Sequence, residues 1–123
     1  MKNVLFCLWA GLLSFSVAAE PQTTIKHNAS SGDEMTIWID VRTAEEFAQG
    51  HIKGSINIPF EEIGAQINTV TGDVDRDIRV YCRSGRRSGV AKDTLNGIGY
   101  ANVINEGGYE DLLQRKQQGE AIP

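Results

Sequence analysis

Val80-Tyr81-Cys82-Arg83-Ser84-Gly85-Arg86-Arg87-Ser88 is the stretch on which the reading of this chain turns. Ile78 to Tyr81 is a short apolar run of the kind that forms a buried strand. It ends on a cysteine, passes through a tight loop holding one glycine and three arginines, and continues as a helical pattern from about Ser88. In an open α/β sheet, ligands bind beyond the carboxyl ends of the strands, where the next helices begin. Backbone N–H groups converging in such a loop form an anion nest, and the helix dipole adds partial positive charge. A cysteine at that point is expected to have a depressed pKa and to attack as the thiolate.

Each piece has a plainer reading. A single cysteine at a strand end is usually a buried small hydrophobe, and an arginine run is usually a solvated patch. Together they read differently, because the chain as a whole carries 16 Asp and Glu against 12 Lys and Arg, net −4. A basic island beside a thiol in an acidic chain points to an anionic substrate. The same balance leaves no extended basic face, so nucleic-acid binding is not expected.

Working outward, strands alternate with helices. Thr36 to Val41 reads as a first strand, rich in β-branched and aromatic residues. Thr43-x-x-Glu46 is a capping box that starts a helix, with Phe47 expected on its inner face and Gly50 at its end. His51 follows, with a structural role in the turn. Ser55 to Ile58 is a second strand closed by Pro59, and Glu61 to Ile67 a helix with Ile63 and Ile67 on one face. The helix after the loop presents a stripe of Val90, Ala91, Thr94, Leu95 and Ile98, stopped by Gly97 and Gly99. Asn102 to Asn105 is a fourth strand, Gly107-Gly108 a turn, Tyr109 to Lys116 a closing helix, and the tail to Pro123 is expected to fray. This order implies an α/β fold, a mostly parallel central sheet with helices on both faces.

The amino terminus has its own logic. Lys2, the apolar run Val4 to Val17 and the small residues Val17-Ala18-Ala19 read as a secretory signal peptide over residues 1–19, cleaved before Glu20. Residues 20–34 are a polar, flexible lead, and 35–123 form the domain. Of the two cysteines, Cys7 lies in the signal, so Cys82 has no disulfide partner in the exported chain. An unpaired cysteine in an oxidising compartment favours a chemical role. No CxxC, HExxH or carboxylate cluster has metal-ligand spacing, and neither metal nor other cofactor is expected.

Cys82-Arg83-Ser84-Gly85-Arg86-Arg87-Ser88 also resembles the active-site loop of the rhodanese-type sulfurtransferases. Asp40-Val41-Arg42 with Glu46-Phe47 is similar to the first-strand signature of that family. Gly50-His51-Ile52-x-Gly54-Ser55-x-Asn57-Ile58-Pro59 is similar to the segment leading into its second strand. Gly99-Tyr100, Val103 and Gly107-Gly108-Tyr109 are similar to its last strand and following turn. Four segments in the right order cover roughly residues 36 to 113, and the small exported form resembles the periplasmic single-domain members.

The resemblance implies a rhodanese-like fold and a thiosulfate sulfurtransferase working by double displacement. Cys82 would take the outer sulfur of a small anionic donor, thiosulfate, hold it as a persulfide, and pass it to cyanide or a thiol. Arg83, Arg86 and Arg87 suit the donor's sulfonate oxygens, since a guanidinium fork pairs with two oxygens at once. Arg87 matches the family's commonest loop arginine and ranks above Arg86, while Arg83 acts as an outer steering charge. Ser84, Gly85 and Ser88 complete the substrate-binding loop, with Gly85 supplying backbone freedom. Asp40 and Arg42 brace the loop from the neighbouring strand end. The expected state is a monomer, off the membrane once the signal is removed. Two rivals are a cysteine phosphatase or arsenate-reductase-like enzyme and a non-catalytic binding module. The loop holds four residues between Cys82 and Arg87, whereas the phosphatase-type loops it resembles hold five, and binding modules of the family normally lack the cysteine.

Overall fold

The structure, a computed structural model, describes residues 36–123; the expected signal peptide and lead lie outside the described residues. Strand β1 is Thr36–Asp40, helix α1 Ala44–Gln49, strand β2 Ile56–Asn57 and helix α2 Ile63–Val70. They are followed by β3 Asp77–Cys82, α3 Arg86–Gly97, β4 Val103–Gly108 and α4 Tyr109–Gln117. The four strands form one sheet in the order β2-β1-β3-β4, every pair parallel.

Side-chain alternation along the central strands divides the core in two. Ile39 and Val41 of the β1 segment point with Ile78, Val80 and Cys82 to one face, where Ile63 and Ile67 of α2 and Ala91 and Leu95 of α3 close over them. Trp38 and Tyr81 point to the other face, packed with Ile52, Leu112 of α4 and Ile122. Because both faces are covered, β1 and β3 carry apolar residues at successive positions, the pattern of a parallel sheet between helix layers.

Chain order reverses between β1 and β3: the chain leaves β1 for β2 on one side and returns to β3 on the other. Their carboxyl ends lie side by side, Asp40 of β1 in register with Tyr81, the residue before the last of β3. Such a switch point leaves an open crevice above the sheet. The β3–β4 register shifts between Val80 and Cys82, so that Cys82 stands opposite Gly108. That irregularity falls where the strand gives way to the loop, as strand bulges often do near active sites.

Several local expectations need correction. Phe47 is only half-buried, and α1 buries none of its residues; the ring instead stacks on His51, with centroids 3.7 Å apart. His51 Nδ1 lies 2.9 Å from the Phe47 carbonyl, the turn-tying role expected of it. Helix α3 begins at Arg86 rather than Ser88, and its buried line is Ser88, Ala91 and Leu95. Val90 and Ile98 fall beside that line and are exposed. Gly107 and Gly108 extend β4 rather than forming a separate turn. The tail does not fray: Ile122 is buried against Trp38 and Leu112, and Lys116 Nζ donates to the Pro123 carbonyl at 2.6 Å.

Candidate active site

Cys82 ends β3 with its side chain on the α2–α3 face, and the residue is wholly buried. The chain then turns sharply. Gly85 sits at φ +91°, ψ −10° as the residue capping α3, a left-handed conformation natural to glycine. A Cβ there would also approach Gly107 Cα to 3.3 Å, and one on Gly108 would meet the Arg83 carbonyl at 2.5 Å. The loop and the glycine pair of β4 are therefore packed backbone to backbone.

That closure aims donors at the sulfur. The Gly85 N–H donates to Sγ of Cys82 at 2.9 Å, and the Ser88 hydroxyl oxygen lies 3.4 Å from it. Burial pushes the Cys82 thiol pKa up. The Ser88 hydroxyl and the N–H groups of Ser88, Ser84 and Gly85 outweigh it, and the pKa lies below the ordinary thiol value. The anion nest expected of this loop is present around the sulfur, and it stabilises the thiolate by hydrogen bonds to the charged form.

The three arginines part company. Arg83 and Arg86 are exposed, whereas Arg87 is half-buried. Its Nη1 and Nη2 donate to the two carboxylate oxygens of Glu46 on α1 at 2.9 and 3.0 Å. This bidentate pair holds the Glu46 carboxyl below its ordinary pKa, chiefly through the hydrogen bond from Arg87. Two of the five guanidinium N–H groups serve Glu46, so the fork is oriented by the protein and keeps further donors. The charge of Arg87 also acts on Cys82. Glu46 was legible as the far end of a capping box and as part of the first-strand signature, neither of which announced Arg87; the Thr43 half of that cap is present, Oγ1 accepting from the Glu46 N–H at 3.2 Å.

Asp40 and Arg42 form a buried pair at the end of β1. Asp40 accepts from Arg42 Nε at 2.9 Å and Nη2 at 2.6 Å, and from the Arg42 backbone N–H at 2.9 Å. Arg42 Nη2 also donates to the Gly50 carbonyl at 2.7 Å, and its guanidinium carbon lies 4.6 Å from the centre of the Tyr109 ring. The Arg42 side chain of this pair thus reaches the turn after α1, and Asn57 Nδ2 donates to the Asp40 and Arg42 carbonyls at 3.0 Å each. On the other face of β3, the Tyr81 hydroxyl accepts from the Ile52 N–H at 3.0 Å and lies 2.9 Å from Ser55 Oγ. Burial there pushes the Tyr81 phenol up to about 12. A cleft of about 320 Å³ beside the loop is lined by Arg42, Glu46, Gly50, Arg83, Tyr109 and Glu110.

A residue that sequence reasoning did not single out completes the loop. Asn105 of β4 donates from Nδ2 to the Gly85 carbonyl at 2.9 Å, while its Oδ1 accepts from the Gly107 N–H at 3.0 Å. Ser88 Oγ lies 2.6 Å from the same Oδ1. Only its place at the end of the fourth strand, beside Gly107-Gly108, could have hinted at this.

Comparison with known proteins agrees with this geometry. Residues 22–115 match the family described as the rhodanese-like domain. The thiosulfate sulfurtransferase PspE of Escherichia coli is 44% identical over 82 residues, covering 67% of this chain and 79% of that protein. Thiosulfate sulfurtransferase 16 of Arabidopsis thaliana is 39% identical over 84 residues, 58% of this chain and 69% of the relative. Among solved structures, a rhodanese with anions from E. coli superposes with a TM-score of 0.62 at 41% identity, covering 72% of this chain and 94% of that one.

Proposed function

The chain belongs to the rhodanese-like domain family, and from that premise we infer that it is a thiosulfate sulfurtransferase with Cys82 as its sulfur carrier. The observation that carries the assignment of Cys82 is its sulfur's placement in a loop whose Gly85 N–H points at it from 2.9 Å. The Cys82 thiolate attacks the outer sulfur of thiosulfate. The donor's sulfur–sulfur bond breaks, and sulfite leaves with the bonding pair, so no proton is needed for its departure. Cys82 then carries a persulfide anion, for which the loop amides are suited donors. Cyanide or a thiolate attacks the outer sulfur of that persulfide and restores the Cys82 thiolate.

Arg87, fixed by Glu46, is the group that faces the sulfonate with its remaining N–H donors. Arg86 assists, and Arg83, on the rim of the neighbouring cleft, draws anions toward the loop. Ser84, Gly85 and Ser88 line the place of the transferred sulfur. Since Cys82 has no exposed surface at rest, the donor displaces loop side chains as it enters. Residues 1–19 direct export to the periplasm, 20–34 are a lead, and the domain of 35–123 works there as a monomer. The amino terminus of the exported protein, read by sequencing, checks the cleavage before Glu20.

The decisive experiment is the mass of the protein after incubation with thiosulfate. One added sulfur on the Cys82 peptide, removed by cyanide, is the expected result. Turnover of thiosulfate by Cys82→Ser equal to that of the unmodified enzyme would overturn the assignment.

A further inference from the structure

A hydroxyl carries one proton, and that of Ser88 has three acceptors within reach. Asn105 Oδ1 is 2.6 Å away, the Gly85 carbonyl 3.1 Å, and Sγ of Cys82 3.4 Å. The amide of Asn105 has only one orientation compatible with its neighbours. Its other contacts are the Gly107 N–H, which must meet an acceptor, and the Gly85 carbonyl, which must meet a donor. Oδ1 therefore faces Ser88, and it is the nearest of the three acceptors. Gly85 already receives the first helical bond of α3, from the Gly89 N–H at 3.0 Å.

We propose that Asn105 is a positioning residue that tunes the sulfur, by competing with Cys82 for the single hydroxyl proton of Ser88. With the proton on Asn105, the sulfur loses one donor and keeps the backbone amides. It is then more basic, and a more basic thiolate is the better nucleophile. As charge builds on sulfur, the hydroxyl can turn the short distance toward it. Asn105 thus acts through Ser88 and touches neither the sulfur nor the donor. This rests on the reading of Cys82 as the sulfur carrier, although the competition itself concerns the thiol alone.

The charged groups carried by the elements around the sulfur are common to all the variants that test this. They include Arg83 of the loop, Arg86, Arg87, Lys92 and Asp93 of α3, Glu45 and Glu46 of α1, the Asp40–Arg42 pair at the end of β1, Asp77 of β3, and Glu106 of β4 with Arg79 and Arg115. Asn105→Leu fills a similar volume without an acceptor and leaves every one of these in place.

The test is the pH dependence of iodoacetamide alkylation at Cys82, followed by the mass of its peptide in the full chain. In Asn105→Leu the midpoint should fall by about half a unit to one unit, a three- to tenfold change in ionisation constant. The rate on the high-pH plateau should drop about two- to threefold, following the lower basicity. In a Ser88→Ala background the same substitution should leave the midpoint unmoved. Asn105→Asp, which keeps an acceptor and adds negative charge, should raise it, and supplies the answer if the leucine variant fails to fold. A purely structural brace predicts the opposite for Asn105→Leu: a loosened loop, retreating amides and a raised midpoint. That result, or a fall that persists without the Ser88 hydroxyl, or a lowered midpoint in Asn105→Asp, would overturn the proposal. Whether wild-type Cys82 gains sulfur from thiosulfate is read separately, so failure of the carrier assignment would show independently.

Discussion

Replacing Arg87 by alanine separates the two duties the structure gives this side chain. Its pairing with Glu46 is bidentate, but the two side chains remain 21% and 26% exposed. An ion pair at that exposure contributes at most about 1 kcal/mol to stability. For a domain of this size that corresponds to about 4–8 °C in Tm, so Arg87→Ala should still fold. Against thiosulfate the loss should be larger. Charge-assisted hydrogen bonds to a sulfonate contribute about 1.5–3 kcal/mol, and kcat/KM should fall roughly ten- to a hundredfold. The assay is thiocyanate formation at saturating cyanide with thiosulfate varied. A competing explanation is that Arg87 merely neutralises Glu46, whose bare carboxylate would repel the dianion. The double variant Arg87→Ala/Glu46→Gln distinguishes these, because the neutral amide removes the repulsion without supplying a donor. Activity should stay low. Full recovery in the double variant, or a single-variant loss under twofold, would refute the role given to Arg87 in binding the donor.

Five further outcomes follow from the same geometry. Ser88→Ala removes a hydrogen bond that favours the thiolate, so the alkylation midpoint of Cys82, lower than the ordinary thiol value in the native loop, should move upward. Below that midpoint the native enzyme should react more slowly as pH falls, since protonation removes the nucleophile. Arg83→Ala should lower thiosulfate kcat/KM mainly at low ionic strength, the defect shrinking with added salt; a salt-insensitive loss exceeding that of Arg87→Ala would reverse the roles. Gly85→Ala forces a side chain into a left-handed position 3.3 Å from Gly107 Cα, and should cost about 1–2 kcal/mol in chemical denaturation; an unchanged midpoint would mean the loop adapts. With four residues between Cys82 and Arg87, an aryl phosphate should not be hydrolysed, and phosphatase turnover lost in Cys82→Ser without sulfur transfer would show that the loop count misleads.

What the sequence made legible was local. The strand ending on Cys82, the glycine needed within the loop after it and the cap formed by Thr43 each depend on a few neighbouring residues, and each is present. The parallel sheet was legible too, from the alternation of short apolar runs such as Ile78 to Tyr81 with helical patterns. What escaped was set by contacts across the chain. Glu46 meets Arg87 from 41 residues away, and nothing in a capping box announces that its glutamate has a second partner. Ile122 looked like the end of a polar tail because the Trp38–Leu112 surface it covers exists only after folding. Val90 and Ile98 were misplaced for a smaller reason: a helix begun at Arg86 turns Ser88, a polar residue, onto the buried line with Ala91 and Leu95.

That last displacement bears on function. A serine in the first turn of α3 and on its buried face is brought to the end of β3, where the sulfur waits, and to the middle of β4, where Asn105 waits. The hydroxyl it carries there has both the Asn105 amide oxygen and the sulfur within reach. Its proton is shared between an amide oxygen and a sulfur whose charge grows and shifts outward as sulfane sulfur is taken up and released. The scaffold can therefore be rigid, with its glycines locked backbone to backbone, while the adjustment accompanying each half-reaction is left to the rotation of one hydroxyl. Loss of Ser88 should accordingly blunt both halves of the cycle, whereas loss of Arg87 should fall chiefly on the half that handles the sulfonate. Varying cyanide at saturating thiosulfate separates the two. The cyanide-limited rate should be nearly native in Arg87→Ala and reduced in Ser88→Ala, and equal reductions in both variants would deny the division of labour.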